Sequence, residues 1–551
     1  MSSYNSGKIL LWLIIFVGFF TTIFLIAQND LLNIADADNA ATSVVVAGVA
    51  PNITDGPSDG GITSTNPVNV GSDVTFTATA NDDNGDQYYL AICKTDAITA
   101  NNNATPTCTG GAWCYSGKTN DDAQASCSTT TLAAWEETSD WFAFVCDYSA
   151  SSQCSASSQG TGNNGSPFHV NHRPTFTALA DTGPKNPGQS VTIYTTSSDA
   201  DSEHSDQVFL LVCRTDGISG TQCDGGNGDT WCSSSLTASD ANCSFTLPTP
   251  APHGATTSYA YIFDSHNFAA SGGSHGTDAS VTINDVAPTV SSVVLNGGRV
   301  IALDAEGTAG ATTTVTTMEV TDNNGCSDVT GVTTSVYRSS ATCTAQDNNS
   351  CYYNQSCSGD SVCDSGITQT YNCNTSIKYH ADPTDVGTPY AAQNWLATGY
   401  ALDQIGQGTA DSSGVELNTW LALDVTNAIN YGSLAVGEIA DGTALPQYVT
   451  VQATGNCGLD TNISGNQMTS GANSIATSSQ KYATSAVAYS AATALQADAT
   501  ELELNLAKTT STATLSDKKV YWGLQIPNGT QPGTYSGANS FTAVKAEIVD
   551  W

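Results

Sequence analysis

Three short acidic stretches recur in the chain, each directly after a run in which apolar and polar residues alternate. They read NDDNGD at 81–86, SDADSEHSD at 198–206 and TDNNGCSD at 321–328. Carboxylate and amide oxygens on a tight turn suit Ca²⁺, a hard cation that takes about six to eight oxygen ligands. We predict that these stretches bind calcium, with candidate ligands Asp82, Asp83, Asp86, Asp199, Asp201, Asp206, Asp322 and Asp328.

No other cofactor chemistry is visible in the sequence. The stretches lack the spacing of an EF-hand loop, which needs a Glu at its twelfth position. Asp, Asn and Gly also form turns without any metal, so a purely structural role is the alternative. The HExxH and P-loop motifs do not occur, and the histidines form no metal-binding spacing. The sequence therefore predicts a protein that is not an enzyme and has no organic cofactor.

The overall charge favours the same kind of ligand. The chain has 14 Lys and Arg against 51 Asp and Glu, which gives a net charge of −37. Such a chain repels nucleic acid and anionic lipid surfaces and attracts divalent cations. We therefore expect no nucleic-acid partner.

Cysteine is the second residue type with possible chemistry. The chain has 17 cysteines and no CxxC pair, which leaves zinc-ribbon and redox-motif interpretations without support. So many thiols favour an oxidising, extracytoplasmic compartment, where disulfides persist. We interpret the cysteines as structural staples rather than as reactive groups.

Two repeats in the chain differ by one cysteine pair. Cys146 and Cys154 occur only in the first repeat, and losing both together strands no thiol, so we predict that they pair. The four shared cysteines allow three connectivities. We favour sequential pairing because short loops close at low entropic cost, which joins Cys93 to Cys108, Cys114 to Cys127, Cys213 to Cys223 and Cys232 to Cys243. Cys457 is left over from an odd total, as a buried free thiol or an intermolecular bridge.

An internal repeat supplies the elements that position these residues. QYYLAICKTDAI at 87–98 matches QVFLLVCRTDGI at 207–218, and WFAFVCD at 141–147 matches YAYIFD at 259–264. Short alternating runs broken by Gly, Asn, Asp and Pro predict an all-β chain of tandem, disulfide-stapled Ig-like β-sandwich domains. The predicted divisions are Ig-like domain 1 at 51–172, Ig-like domain 2 at 173–286, a cysteine-rich Ig-like domain 3 at 287–398 and a C-terminal β-sandwich domain 4 at 399–551.

The N-terminus carries a different signal. Residues 9–27, ILLWLIIFVGFFTTIFLIA, can form an apolar helix of roughly 28 Å, about one bilayer core. We predict an N-terminal hydrophobic transmembrane anchor within residues 1–30 and a linker at 31–50, with the acidic remainder outside the cell. A cleaved signal peptide is the main alternative, and a pilin-like helix is a further one.

Several stretches together resemble a known kind of protein. They are ICKTDAI, GGAWC and FAFVCD in the first repeat, VTDNNGCSDV and KYHADPTD in the third unit, and the tail VYWGLQIPNGTQPGTYSG. This combination resembles the modular Ig-like-repeat, S-layer-like cell-surface proteins of small uncultured bacteria and some archaea. The resemblance covers about residues 51–551, and repeat two departs from it by lacking the second cysteine pair. It implies a surface location and a modular architecture more than an activity.

These observations lead to one functional hypothesis and two alternatives. We expect a membrane-anchored structural protein of the extracellular cell surface whose partner is another copy of itself, so that it assembles laterally into a surface layer. The alternatives are an adhesin or stalk that projects from the cell, and a filament with the N-terminal helix in its core.

Overall fold

The computed structural model describes residues 47–160, 165–201, 207–270, 279–304, 311–363, 366–440 and 447–551. The predicted anchor at 9–27 and the candidate ligand Asp206 lie outside these ranges. Within the ranges, no helix is long and apolar enough to cross a membrane. The helical elements there are short 3₁₀ turns at Gly226–Asp229, Asn296–Gly298, Cys326–Asp328, Thr477–Ser479, Tyr489–Ala491 and Ile548–Asp550.

The predicted all-β class is confirmed for the described residues. The strand Asp73–Asn81 shows why: Val74, Phe76, Ala78 and Ala80 are at most 1% exposed, and the residues between them are less buried. Because successive side chains of a strand point to opposite faces, this alternation sends one face into a core and leaves the other near solvent.

The chain divides into two compact units. Unit 1 contains Ala78–Ser126 and Ala143–Ser158 with the residues up to Gly56, and unit 2 contains Pro57–Thr77, Cys127–Phe142 and Gln159–Trp551. The first strands along the chain are β1 (Asn52–Ser58), β2 (Val68–Asn69), β3 (Asp73–Asn81), β4 (Tyr88–Cys93), β5 (Ile98–Thr99), β6 (Thr107–Cys108), β7 (Ala112–Tyr115), β8 (Gln124–Thr130), β9 (Thr138–Ser139), β10 (Phe142–Asp147), β11 (Gln159–Gly160) and β12 (Phe168–Asn171).

Strand β4 is the centre of unit 1. It lies between β10 and β7, and all of its residues are buried. A disulfide from Cys93 to Cys108 ties the end of β4 to β6, and another joins Cys146 of β10 to Cys154 in the following loop. Cys114 and Cys127 are also disulfide-bonded. The second of these bridges lies next to Asp147, the last residue of β10.

Residues 174–283 of unit 2, named segment II here, form a two-sheet sandwich. The strands are β13 (Thr175–Asp181), β14 (Ser190–Ser198), β15 (Val208–Cys213), β16 (Ile218–Ser219), β17 (Gln222–Cys223), β18 (Thr230–Ser233), β19 (Asn242–Thr246), β20 (Gly254–Asp264) and β21 (Ala279–Ile283). One sheet has the order β13-β14-β19 and the other β18-β15-β20-β21. Val191 and Ile193 of the first sheet pack with Leu210 and Ile262 of the second. This is the layer arrangement of an Ig-like sandwich.

Two disulfides connect strands of segment II, and the one between β18 and β19 joins its two sheets. They join Cys213 to Cys223 and Cys232 to Cys243.

Residues 289–417, named segment III, form one curled sheet rather than two separate layers. The strands are β22 (Thr289–Leu295), β23 (Ala311–Thr321), β24 (Gly331–Arg338), β25 (Cys351–Gly359), β26 (Thr368–Lys378), β27 (Trp395–Leu402) and β28 (Gln407–Asp411). Their order is β22-β23-β26-β25-β24-β27-β28, and β22 also contacts β27 and β28 from the other end of the sheet. The sheet thus wraps around its own core, in which Trp395 and Leu417 are fully buried.

The predicted boundary at residue 398 falls inside β27 of segment III. That strand pairs with β24 from Trp395 to Leu402, and the core continues to Leu417. The disulfides of segment III join Cys326 to Cys363, Cys343 to Cys351 and Cys357 to Cys373.

Residues 423–551, named segment IV, form a second kind of sandwich. The strands are β29 (Leu423–Thr426), β30 (Ile439–Ala440), β31 (Gln447–Ala453), β32 (Leu459–Gly465), β33 (Met468–Ser470), β34 (Asn473–Ile475), β35 (Gln480–Ala483), β36 (Thr493–Ala494), β37 (Thr500–Leu506), β38 (Asp517–Gln525) and β39 (Asn539–Lys545). A sheet built on β29-β31-β38-β35-β36 faces the sheet β37-β32-β39. Val451 and Trp522 of the first pack with Ile463 and Leu504 of the second.

Candidate metal centres

The first acidic cluster lies in unit 1, where a loop and a strand end converge. Asp82 follows β3 directly, Asp86 is on the same loop, and Asp147 is the last residue of β10. One oxygen from each carboxylate lies within 4.8 Å of the others. Asp82 and Asp147 are 2% and 1% exposed. Three carboxylates held this closely, two of them buried, repel one another unless a proton or a cation neutralises them.

Hydrogen bonds fix one oxygen of Asp82 and leave the other bare. The amide of Asn84 donates to Asp82 Oδ1 at 2.7 Å, which forms the tight turn expected of Asp. Asp82 Oδ2 is buried and has no hydrogen-bond partner. Burial raises the pKa of Asp82, and the charges of Asp86 and Asp147 raise it further. The site thus contains a buried carboxylate oxygen that accepts no hydrogen bond from the protein.

Asp147 is oriented by its own loop. The amide of Gln153 donates to Asp147 Oδ1, and the Ser149 hydroxyl donates to Oδ2 at 2.9 Å. The predicted ligand Asp83 is exposed and lies outside this cluster. The sequence prediction missed Asp147, although it is the last residue of the matched stretch WFAFVCD. The repeat alignment itself was the signal that could have found it.

A second cluster lies where segment II passes into segment III. Asp322 follows β23, Asp328 is on the same loop, and Asp403 follows β27, so these three repeat the layout of Asp82, Asp86 and Asp147. The amide of Asn324 donates to Asp322 Oδ1 at 2.8 Å, and the amides of Ile405 and Gly406 donate to Asp403 Oδ1.

The second oxygens of Asp322 and Asp403 have no hydrogen-bond partner. Asp322 is 1% exposed and Asp403 is 4% exposed, and neither Oδ2 atom accepts a hydrogen bond. Burial raises the pKa of Asp322, and the charges of Asp328, Asp403 and Asp285 raise it further. Two of the carboxylates near this loop, those of Asp322 and Asp403, are therefore buried, whereas Asp285 and Asp328 are partly exposed.

Asp285 and His253 complete this cluster from the segment II side. His253 Nδ1 lies 3.1 Å from Asp328 Oδ2 and 3.7 Å from Asp285 Oδ1. The hydrogen bond to Asp328 raises the pKa of His253, and the charges of Asp328 and Asp285 add to it. The sequence prediction missed these residues because none of them is in an acidic stretch. Asp285 precedes the third repeat, Asp403 follows β27, and His253 is in an unrelated loop.

Asn324 joins the same loop to the chain between the segments. Its Nδ2 donates to the carbonyls of Ala251 and Asn284 at 3.0 and 2.9 Å, and its Oδ1 accepts the amide of Val286 at 2.8 Å. All polar atoms of this buried side chain are therefore used within the protein, and the loop that carries Asp322 is attached to residues 284–286.

The described carboxylates of the acidic stretch at 198–206, in segment II, accept hydrogen bonds from protein donors. Asp201 Oδ2 accepts the amide of His172 at 2.6 Å, and Asp201 Oδ1 lies 2.8 Å from His172 Nδ1. Asp199 Oδ1 accepts the amide of Asp201 at 3.0 Å. Asp264, at the end of β20, accepts Asn171 Nδ2 at 2.8 Å. Both oxygens of Asp201 thus have a protein partner, unlike those of Asp82 and Asp322.

The leftover cysteine has a structural setting. Cys457 is a free thiol that is 1% exposed. Its sulfur lies 3.8 Å from the carbonyl of Trp420, and burial raises its pKa to about 12. A thiol in this state is a poor nucleophile because little thiolate forms at neutral pH.

Comparisons with known proteins do not assign the chain to a family. No family model and no curated protein matches it. Among solved structures, a marsupial T cell receptor aligns at 9% identity over 66% of this chain and 100% of its own, with a TM-score of 0.26. The FN1–FN3 domains of chicken CNTN1 align at 9% identity over 67% and 100%, with a TM-score of 0.19.

A bacterial protein is also among the similar structures. A solved chain from a study of host cell surface retention of a 1.5-MDa bacterial ice-binding adhesin aligns at 14% identity over 68% of this chain and 99% of that solved chain, with a TM-score of 0.22. TM-scores this low carry no argument about the function of this chain.

Proposed function

We propose that this chain is a structural protein of the cell surface that assembles laterally with copies of itself into a surface layer, anchored through residues 9–27. The observation that carries the proposal is the series of disulfide-stapled β cores in unit 1 and in segments II and III. Disulfides at this density persist in oxidising, extracytoplasmic surroundings. Each such bridge stabilises a fold by about 2–4 kcal/mol, which suits a coat exposed to the environment.

The connection between segments III and IV supports a rigid junction between these two segments. Lys508 of segment IV is 8% exposed and lies 3.2 Å from Asp382 Oδ1 of segment III. Its Nζ also donates to the carbonyl of His380 at 2.6 Å and to Asn349 Oδ1 at 3.0 Å. A module joined by buried ionic contacts transmits load to the next one, as a coat subunit must.

The net charge sets a condition for lateral assembly. At −37, copies of this chain repel one another at low ionic strength, so assembly requires divalent cations or salt that screens the charge. We therefore expect ordered arrays to form with calcium and to dissolve with a chelator.

Electron microscopy of the cell envelope tests the proposal. A regular lattice that is lost when this chain is depleted supports a surface layer. Sparse, isolated projections contradict it and favour the adhesin or stalk. Bundled fibres contradict it as well and favour the filament.

A further inference from the structure

We propose that the cluster of Asp285, Asp322, Asp328 and Asp403 binds one Ca²⁺ that ties segment II to segment III, and that Asp82, Asp86 and Asp147 form a second site of the same kind. The proposal concerns single molecules and does not rest on assembly into a layer. It enlarges the predicted ligand set by three strand-end or linker residues, Asp147, Asp285 and Asp403.

The first argument is the unmet hydrogen bonding. A buried carboxylate oxygen without a partner is costly, and most such atoms in folded proteins find one. Asp82, Asp322 and Asp403 each have one fixed oxygen and one buried oxygen without a partner. In each case, the partnered oxygen accepts a backbone amide, which orients the bare oxygen as a preformed ligand.

The second argument is charge. Ligand atoms of Asp285, Asp328 and His253 lie within 4.8 Å of one another, and the charges of Asp328, Asp403 and Asp285 raise the pKa of the buried Asp322. Among the described residues, the basic group paired with these carboxylates is His253. Four carboxylates against one imidazole leave a net negative charge that opposes folding in the absence of a counterion. A divalent cation removes most of this repulsion.

At a neighbouring junction, side chains of the protein itself supply the positive charge that compensates a buried carboxylate. At the junction of segments III and IV, the buried carboxylate of Asp382 is paired with Lys508 at 3.2 Å and with Arg338 Nε at 3.1 Å. No lysine or arginine in the described part of the chain forms such a pair with Asp322 or Asp403. The two junctions differ in the source of the positive charge.

The ligand chemistry favours Ca²⁺. Carboxylate oxygens in an irregular arrangement suit this hard and geometrically tolerant cation, whereas Mg²⁺ demands a near-ideal octahedron. His253 is 36% exposed at its side chain and is already hydrogen-bonded to Asp328, so we assign it a positioning role for that carboxylate. A zinc site would instead use the imidazole nitrogen as a direct ligand.

Occupancy of this site links the two segments. Asp285 precedes segment III in the connecting chain, and the loop of Asp322 and Asp328 is attached to that chain through Asn324. A cation shared by Asp285 and the loop therefore restrains the connecting chain at residues 284–288. Removal of the cation restores the carboxylate repulsion and loosens this connection.

Calcium titration of the full chain by calorimetry is the first test, with D322N, D82N and D83N as variants. We expect the unmodified chain to bind calcium at two sites, with Kd values near the roughly 10⁻⁴–10⁻³ M of extracellular calcium modules. D322N should lose one of these sites and D82N the other. Asp83 is exposed and lies outside the cluster, and D83N removes the same charge as the other two variants. D83N must therefore bind calcium like the unmodified chain. Unchanged binding in D322N and D82N overturns the proposal.

Thermal unfolding keeps the test valid if a variant is unstable. In a chelator, D322N should melt at a higher temperature than the unmodified chain because one repelling charge is gone. In calcium, the order should reverse because the variant has lost a ligand. D403N should behave in the same way. Equal melting shifts with calcium in all forms, or binding of Zn²⁺ in preference to Ca²⁺ that depends on His253, overturns the assignment.

Discussion

His253 Nδ1 lies 3.1 Å from Asp328 Oδ2 although 75 residues separate them, so a loop of segment II contacts a loop of segment III. The contact brings Asp285 within 3.7 Å of the same nitrogen. The carboxylates around it are the feature on which this account of the chain depends. Their neutralisation decides how firmly consecutive segments are joined.

The junction of segments III and IV should be stable without any metal. Replacing Lys508 by Met leaves Asp382 with Arg338 alone and removes three donations to oxygens of segments III and IV. We expect a loss of about 3 kcal/mol in the free energy of unfolding, because breaking one partner of a buried ion pair leaves uncompensated charge.

Urea denaturation with a chelator measures that loss. The exposed Lys519, which lies over the ring of Tyr448 at 4.1 Å, provides the control variant K519M. It should cost less than about 1 kcal/mol. An equal effect of both substitutions would remove the special role of Lys508.

Acid should weaken the same region through His380. This residue is 1% exposed, and burial together with the charge of Lys508 lowers its pKa to about 4. In the unfolded chain the pKa is near 6.5, so between these values only the unfolded chain binds the proton. Stability is therefore complete above about pH 6.5 and falls by about 3 kcal/mol as the pH drops to about 4.

The variant H380Q isolates this contribution. Denaturation curves at several pH values between about 4 and 6.5 should show a shallower decline for H380Q, by about one proton. A chelator in all samples removes any contribution from bound metal. Parallel declines in both proteins would contradict the assignment.

The extra disulfide of the first repeat has a counterpart without sulfur in segment II. Cys146 and Cys154 form an isolated β-bridge, and Phe263 and Ala269 form the corresponding bridge. Phe263 is 1% exposed and stacks on Phe209 with ring centroids 5.1 Å apart. An aromatic pair thus occupies the place where the first repeat has a staple.

This correspondence predicts that a double substitution of Phe263 and Ala269 by Cys forms a disulfide. Mass spectrometry of the protein under non-reducing conditions should show a loss of two hydrogens beyond the loss that the native disulfides account for. The single variants, each with one added thiol, should show no such loss. Free thiols in the double variant would show that the two bridges are not equivalent.

Cys457 should be inert and intramolecular. Because burial raises its pKa to about 12, alkylation at neutral pH should be slow in the native protein and fast in denaturant. Non-reducing electrophoresis should give a monomer band. A dimer that disappears on reduction and in a C457A variant would show an intermolecular bridge instead.

Local sequence patterns predicted the strands because alternation is a property of neighbouring residues, as in Val74, Phe76 and Ala78. The acidic loops were predicted for the same reason, through the turn chemistry of Asp82 and Asp322. The remaining residues of the sites, Asp147 and Asp403, were not predicted, because only strand pairing brings them next to these loops. The curled sheet of segment III was also hidden, since strand order is set by contacts between distant residues.

The most direct test of the calcium-linked junction is hydrogen exchange of the amide of Val286, which donates to Asn324 Oδ1 at 2.8 Å. The full chain is compared in calcium and in chelator, with D322N and D83N alongside. We predict that calcium slows this exchange in the unmodified chain and in D83N by at least about tenfold, and has no effect in D322N. Exchange that is the same in calcium and in chelator, in a chain that remains folded, would contradict the account.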